Sequence, residues 1–290
     1  MEKEQFNIGK LLKFGYEALR SVGIDSYQID CELLLGKVIK KDRLFILLNR
    51  DYKVTVNEEQ EYCNFINLRK QKMPIKYILG ECEFMGLDFY IKEGVLIPRP
   101  DTEVLVELAI KCIKEQKLKN ACDVCCGSGA IGISIAKFVE DIKVKCSDIS
   151  NIAYEVTLEN IKRFELEHKV EVIKSDLLNY FINNKEKFDI IISNPPYIRE
   201  DVIPTLMEDV KNYEPYEALS GGQDGLDFYR KITLQSLKLL NNNGFLLFEI
   251  GYDQKDSVSS ILEQNGFTDI SCIKDLAGKD RVIKGKREIS

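Results

Sequence analysis

The 290-residue chain contains no tryptophan and one histidine, His168. Chemistry that needs a pair of imidazoles is excluded, and a Ser/His/Asp relay would rest on that one residue. His168 sits in a polar joint, Glu165 to Lys169, ahead of a strand-like run, and reads as a solvated surface side chain. No stretch of 18 apolar residues occurs, and the charged start, Met1 to Lys10, lacks the apolar segment of a secretory leader. A soluble, cytoplasmic protein without a membrane partner is expected. Nine cysteines, an odd number without framework spacing, point to reduced thiols. Basic charge is not in excess: the net charge is −6 and the pI about 5.2, so a broad basic face for duplex nucleic acid is not expected.

What is present is an ordinary globular composition, 44% hydrophobic and 30% charged, long enough for one large domain or two unequal ones. Residues 1–80 carry a net charge of +3 and the remainder −9, an asymmetry that suggests two parts with different partners. Residues 1–72 read as helices: Ile8, Leu11, Leu12 and Leu19 recur near helical spacing, as do Ile29, Leu33, Leu34 and Val38. Asn57 is the expected cap of a helix carrying Tyr62, Phe65, Ile66 and Arg69. Between Tyr77 and Pro98 the period changes to that of a hairpin or extended connector. A helix then starts at Pro100-Asp101-Thr102-Glu103 and runs to about Gln116. Beyond it strands are expected at 120–125, 142–147, 170–174, 188–193, 244–250, near 268–274 and at 280–285. Helices are expected at 129–139, 151–164, 225–240 and 256–265. That alternation predicts an α/β fold with a parallel sheet covered on both faces. The expected domains are 1–76, a linker 77–98, and 99–290.

After the first of these strands comes Asp123-Val124-Cys125-Cys126-Gly127-Ser128-Gly129-Ala130-Ile131-Gly132. Gly127, Gly129 and Gly132 form G-x-G-x-x-G, which permits a tight turn and close approach of backbone to a nucleotide-like ligand. Asp148 closes the next strand, 21 residues after Gly127, where a carboxylate can accept from ribose hydroxyls. The loop alone does not choose between a nicotinamide dinucleotide and S-adenosylmethionine. Cys122, Cys125 and Cys126 lack a second C-x-x-C or a nearby histidine, so no metal is expected and they read as small apolar packing residues.

The strand Phe188 to Ser193 delivers Asn194-Pro195-Pro196-Tyr197 at its carboxyl end, where open α/β sheets bind ligands. The prolines fix φ, remove two N–H donors and leave a stiff rim rich in acceptors. An amide or aromatic amino group is a poor nucleophile because its lone pair is delocalised. The Asn194 side-chain oxygen and the Pro195 carbonyl can take both of its N–H bonds and aim the lone pair at an electrophilic methyl, with Tyr197 packing the planar group.

With these residues in place, the chain resembles the S-adenosylmethionine methyltransferases that act on amino groups. Within them, Ile97-Pro98-Arg99-Pro100-Asp101-Thr102-Glu103 and Leu219-Ser220-Gly221-Gly222-Gln223-Asp224-Gly225-Leu226-Asp227 resemble the protein-glutamine methyltransferases of peptide chain release factors, the PrmC/HemK family. The resemblance spans essentially the whole chain. It implies a Rossmann-like class I methyltransferase domain with a seven-stranded, mostly parallel sheet, preceded by a small helical bundle and a hairpin linker. It also implies methylation of the glutamine amide in the Gly-Gly-Gln motif of class I release factors, with S-adenosylhomocysteine as product. By the same resemblance Cys125, Cys126, Gly127, Ser128, Gly129, Asp148 and Asn194 contact S-adenosylmethionine, Asp176 and Leu177 meet its adenine, and Asn194, Pro195, Pro196 and Tyr197 hold the glutamine. The N-terminal domain would grip the release factor.

Two positions depart from the family pattern. Cys125 stands where the family usually has glycine, and its Cβ disfavours positive φ. Leu177 stands where relatives often carry a large aromatic. The Gly221-Gly222-Gln223 of this chain belongs to the family's own recurring loop and reads as a loop rather than a substrate. Other readings are an adenine-amino DNA methyltransferase, an NAD-dependent oxidoreductase, and an inactive domain that binds ribosomal proteins through residues 1–75. The acidic charge and the Arg99 to Glu103 segment argue against the first. Neither of the others accounts for a rigid acceptor turn after the fourth strand.

Overall fold

The computed structural model describes residues 6–288 and divides into two compact units, 1–80 with 208–213, and 81–207 with 214–290. The charged start at Met1 to Gln5 lies outside the described residues. The first unit holds α1 (Ile8–Arg20), α2 (Tyr27–Ile39), α3 (Arg43–Leu48), α4 (Val56–Lys70) and α5 (Ile75–Leu79), with α10 (Glu208–Lys211) from the later segment. Asn7 caps α1 by accepting from the Lys10 amide at 2.9 Å, and Ile8, Leu11, Leu12 and Leu19 turn inward as their spacing requires.

Two details differ from the sequence expectation. Thr55 caps α4 in a reciprocal box with Glu58, and Asn57 lies inside the first turn. Helix α2 is rotated so that Ile29 is exposed while Asp30 is buried. The Asp30 carboxylate there accepts from Arg69 Nε of α4 at 2.7 Å, so an ion pair displaces an isoleucine from the expected apolar stripe.

The second unit begins with the hairpin β1 (Glu81–Phe84) and β2 (Leu87–Tyr90), turned by Met85 and Gly86, both at positive φ. A 3₁₀ turn, Pro100–Thr102, leads into α6 (Glu103–Gln116). There follow β3 (Asn120–Val124), α7 (Ala130–Phe138), β4 (Lys143–Asp148), α8 (Asn151–Arg163), β5 (Val170–Lys174), α9 (Asn179–Asn183) and β6 (Phe188–Ser193). After α10 come α11 (Tyr216–Leu219), α12 (Asp227–Leu239), β7 (Leu240–Glu249), α13 (Lys255–Gln264), β8 (Phe267–Lys274) and β9 (Asp280–Arg287). The short helices α9 and α11 were not expected from sequence.

The seven strands form one sheet in the order β5-β4-β3-β6-β7-β9-β8, parallel from β5 to β7 and antiparallel at β9 and β8. This is the Rossmann-like methyltransferase architecture that the resemblance implied. Alternation along β6 sends Ile190 and Ile192 into a core with Leu105 and Val106 of α6, Ile133 and Ile135 of α7 and Ile161 of α8. Ile191 faces Phe181 of α9, Tyr229 and Ile232 of α12 and Val258 of α13. Burial on both faces explains the uninterrupted Ile190-Ile191-Ile192 run. The carboxyl ends of β3, β4, β6 and β7 lie at one edge of the sheet, because β3 pairs in parallel with β4 and β6, and β6 with β7.

Candidate active site

The turn after β3 reverses direction through three positive-φ residues: Cys125 at 61°, Gly127 at 56° and Gly129 at 78°. Its backbone is tied down on all sides. The Cys126 amide donates to the Ser147 carbonyl at 3.1 Å, the Gly129 amide to the Cys126 carbonyl at 2.8 Å, and the Gly127 amide to Asp148 Oδ2 at 2.9 Å. From α8, Thr157 Oγ1 donates to the Gly127 carbonyl and Asn160 Nδ2 to the Ser128 carbonyl, each at 2.9 Å. The Asn160 side chain also exchanges hydrogen bonds with the backbone of Tyr90, so one amide pins the hairpin and the loop together. Gly132 is required by crowding: a Cβ there would lie 2.5 Å from Cys146 Sγ.

The carboxylate of Asp123 is fully buried under this turn. Its Oδ2 accepts from the Gly132 amide at 2.9 Å and its Oδ1 has no hydrogen-bonding partner, so burial pushes its pKa up to about 7. Asp148 is also raised by burial, against three backbone amides, Ser150, Gly127 and Ile149, that favour the charged form. Asp148 Oδ1 accepts from the Ser150 amide and Oδ2 from the Gly127 amide, each at 2.9 Å.

A cavity of about 520 Å³ opens beside the turn. Cys125, Gly127 and Asp148 line one side, with Ile149, Asp176 and Leu177 further along. Asn194 and Pro196 line it from the end of β6. The acceptor turn and the glycine turn therefore share one space.

The Asn194 to Tyr197 segment is held from beneath. Asn194 Nδ2 donates to Thr102 Oγ1 at 3.3 Å, and Tyr197 Oη donates to Glu249 Oε1 at 3.1 Å. Gln254 Nε2 bridges the carbonyls of Tyr197 and Gly225, at 3.0 and 3.2 Å, while its Oε1 accepts from Tyr229 Oη and the Gly251 amide. The loop 219–227 closes over the same backbone: the Ile198 amide donates to the Leu219 carbonyl and the Gly221 amide to the Ile198 carbonyl. Burial, with Glu249 alongside, pushes the Tyr197 phenol well up, so it stays a hydrogen-bond donor.

Comparison with known proteins shows the family of the chain. Residues 101–210 match the family model described as "Methyltransferase small domain", and residues 10–80 match "PrmC N-terminal domain". The chain is 60% identical over 277 residues to the release factor glutamine methyltransferase of Clostridium botulinum, covering 96% of this chain and 98% of that one. It belongs to the release factor glutamine methyltransferase family. The relative from Clostridium acetobutylicum is 52% identical over 272 residues, covering 94% of this chain and 95% of that one. Among solved structures, the Thermus thermophilus 16S rRNA N2 G1207 methyltransferase in complex with AdoMet and guanosine shares the fold. Its TM-score is 0.52 at 14% identity, covering 72% of this chain and 50% of that chain.

In this release factor glutamine methyltransferase relative, the residues singled out from sequence divide between cavity wall and support. Cys126 and Ser128 are buried in the turn, and Gly129 is the N-cap residue of α7. Pro195 is buried, and the Tyr197 ring packs against the core below α12 and α13. The cysteines of the cluster are buried or partly buried with raised thiol pKa values. For Cys122 and Cys125 burial is the chief cause, and for Cys126 a hydrogen bond with Cys146. Among the described residues no His/Cys/Asp/Glu group has the arrangement of a metal site, and no helix is long and apolar enough to cross a membrane. Sequence reasoning missed Thr157, Asn160, Glu249 and Gln254. Thr157 and Asn160 lie seven and ten residues after Ser150, on one face of a helix whose start was visible. Glu249 and Gln254 carry no local signal at all.

Proposed function

We propose that this chain transfers a methyl group from S-adenosylmethionine to the side-chain amide nitrogen of the glutamine in the Gly-Gly-Gln motif of class I peptide chain release factors. Membership of the release factor glutamine methyltransferase family supports the reaction class. The observation that carries the assignment to this site is the single cavity bordered by Gly127 and Asp148 on one side and Asn194 on the other.

The residues present suit the donor. Asp148 offers acceptor lone pairs to a ribose diol, Ile149 and Leu177 offer apolar surface to an adenine, and the turn at Cys125 to Gly127 offers close backbone approach. S-adenosylmethionine, when bound, supplies an electrophilic methyl on a sulfonium. The protein's own part is orientation. Asn194 Oδ1 and the Pro195 carbonyl accept the two N–H bonds of the glutamine amide and present its lone pair for in-line attack. The nitrogen would form a bond to the methyl carbon as the carbon–sulfur bond breaks and S-adenosylhomocysteine leaves with the bonding pair, and would then give a proton to water. Pro196 stiffens the acceptor turn, and Tyr197, with its ring against the core and its hydroxyl on Glu249, holds that turn from below. The positively charged first domain is the part assigned to gripping the release factor, in the cytoplasm and without nucleic acid.

The test is peptide mass spectrometry on a purified release factor incubated with the protein and S-adenosylmethionine, beside a Gln-to-Ala substrate. One added methyl on the Gly-Gly-Gln peptide, absent from the control, is the expected result. No gain, with donor binding still seen by calorimetry, would overturn the substrate assignment.

A further inference from the structure

We propose that Gln254 is a positioning residue: its side-chain amide locks the acceptor turn, Asn194 to Tyr197, to the loop 219–227 and so sets where that turn presents its acceptors for methyl transfer. This rests on the reading of the turn as the part that receives the target amide.

Gln254 stands between β7 and α13 and is 8% exposed. Its Nε2 donates to the Tyr197 carbonyl at 3.0 Å and to the Gly225 carbonyl at 3.2 Å, and its Oε1 accepts from the Gly251 amide at 2.9 Å. Carbonyls can only accept and a backbone N–H can only donate, so these three backbone groups allow the carboxamide one orientation. Turned by half, it would set oxygen against two oxygens and N–H against N–H. Glycine stands at both ends of the amide. A Cβ at Gly225 would lie 2.8 Å from Nε2, and one at Gly251 would lie 2.9 Å from Oε1, so the backbone comes closer to this side chain than a larger residue permits.

The two prolines pass this hold on to the site. Pro195 and Pro196 have fixed φ, so few soft torsions separate Asn194 from Tyr197, and a shift of the Tyr197 carbonyl is carried back to the Pro195 carbonyl and to Asn194. The loop on the other side of Gln254 is flanked by Ala218 and Phe228, which line the same cavity as Asn194 and Pro196. One buried amide therefore joins two stretches of the cavity wall. Gln254 does not itself line the cavity, so it acts through the turn.

The experiment uses the full chain with S-adenosylmethionine and a release factor, and compares Gln254→Met, Gln254→Glu, Leu262→Ala and Asn194→Ala. For each, kcat and KM are measured beside calorimetry of donor binding and thermal melts. Methionine keeps the length of glutamine without its hydrogen bonds; glutamate keeps the acceptor for Gly251 and sets lone pairs against both carbonyls. Leu262, fully buried further along α13, is the control for stability alone, since alanine there leaves a void in the core and removes none of these hydrogen bonds. The expected result is a kcat about 10- to 100-fold lower in Gln254→Met, as for a misplaced reactant, and at least as low in Gln254→Glu. Donor affinity should stay within about threefold, and KM for the release factor should move less than kcat. Leu262→Ala should lower Tm at least as far as Gln254→Met and keep kcat within about threefold. Wild-type kcat in either Gln254 variant while Asn194→Ala is inactive overturns the positioning role, as does a kcat loss in Leu262→Ala that matches theirs. Wild-type turnover in Asn194→Ala instead overturns the underlying reading of the turn. If Gln254→Met does not fold, Gln254→Glu and Leu262→Ala decide.

Discussion

The Gly127 amide donates to Asp148 Oδ2 at 2.9 Å, so the carboxylate at the end of β4 fastens the turn that follows β3. One side chain thus shapes the loop and offers acceptors to the donor. Replacing Asp148 by Ala removes both, and S-adenosylmethionine affinity is expected to fall about 10- to 100-fold, the range for a charge-assisted hydrogen bond. Asp148→Asn keeps an acceptor for Gly127 and should fall between the two. Unchanged affinity by titration calorimetry would remove Asp148 from the donor site.

Cys125 holds φ at 61°, a conformation that costs a residue with a Cβ roughly 1–2 kcal/mol. Cys125→Gly and Cys125→Ala both delete the thiol, but only glycine relaxes the backbone. The glycine variant should be the more stable by about 1 kcal/mol in denaturant unfolding, despite its looser unfolded chain. Equal stability would show that the turn is not strained there.

Asp123 keeps its proton to about pH 7 when folded, whereas in the unfolded chain it loses it near the ordinary carboxylate value. Between those limits the folded state binds more protons, so this group's contribution is full below about pH 4 and is lost as the pH rises through about 7. Asp148 and Glu249, both raised by burial, act in the same direction. Asp123→Asn should therefore flatten the fall in Tm between pH 5 and 7. Parallel curves for the variant and the parent would contradict the raised pKa.

Gly225 and Gly278 share nearly the same φ, 74° and 77°, but a Cβ at Gly225 would lie 2.5 Å from the Tyr197 carbonyl oxygen, while one at Gly278 meets nothing within 4 Å. Alanine at 278 should cost about 1 kcal/mol and leave turnover intact. Alanine at 225 should cost more and lower turnover at least about tenfold, by displacing the acceptor turn. Matching kinetics in the two variants would show that the loop does not set the position of Asn194.

The strands and long helices of the second unit were legible because their signals are local: a buried Ile190-Ile191-Ile192 run, a G-x-G-x-x-G turn, an acid at a strand end. Their bounds agree with the structure to within a residue or two, apart from the longer β7. The first unit misled in two places, one where the polar partner lies 39 residues away and one where a local Thr-x-x-Glu box two residues upstream takes the cap from Asn57. Arg69 makes Asp30 an interior residue, and Glu58 makes Thr55 the cap. The stretch from Ile198 to Leu226 could not be read because its helices are single turns, and its two ends are joined by backbone hydrogen bonds between Ile198 and the Leu219 to Gly221 segment. Of the cavity wall, Cys125, Gly127, Asp148, Asp176, Leu177, Asn194 and Pro196 were visible as motifs, whereas Pro215, Phe228 and Lys231 were not. The residues supporting the wall, Thr157, Asn160, Glu249 and Gln254, were not visible either, since a hydrogen-bond partner tens of residues distant leaves no periodicity.

The two halves of the site also differ in when synthesis can complete them. The glycine turn is tied to Asp148, Thr157 and Asn160, all within about 35 residues of it. The acceptor turn at Asn194 reaches forward to Glu249 and Gln254, on and just after the strand that flanks β6. A chain growing from its amino end therefore owns every tie of the donor half while the target half is still missing its last two. During that interval the nascent enzyme has a place for the methyl group and no fixed place for the atom that receives it.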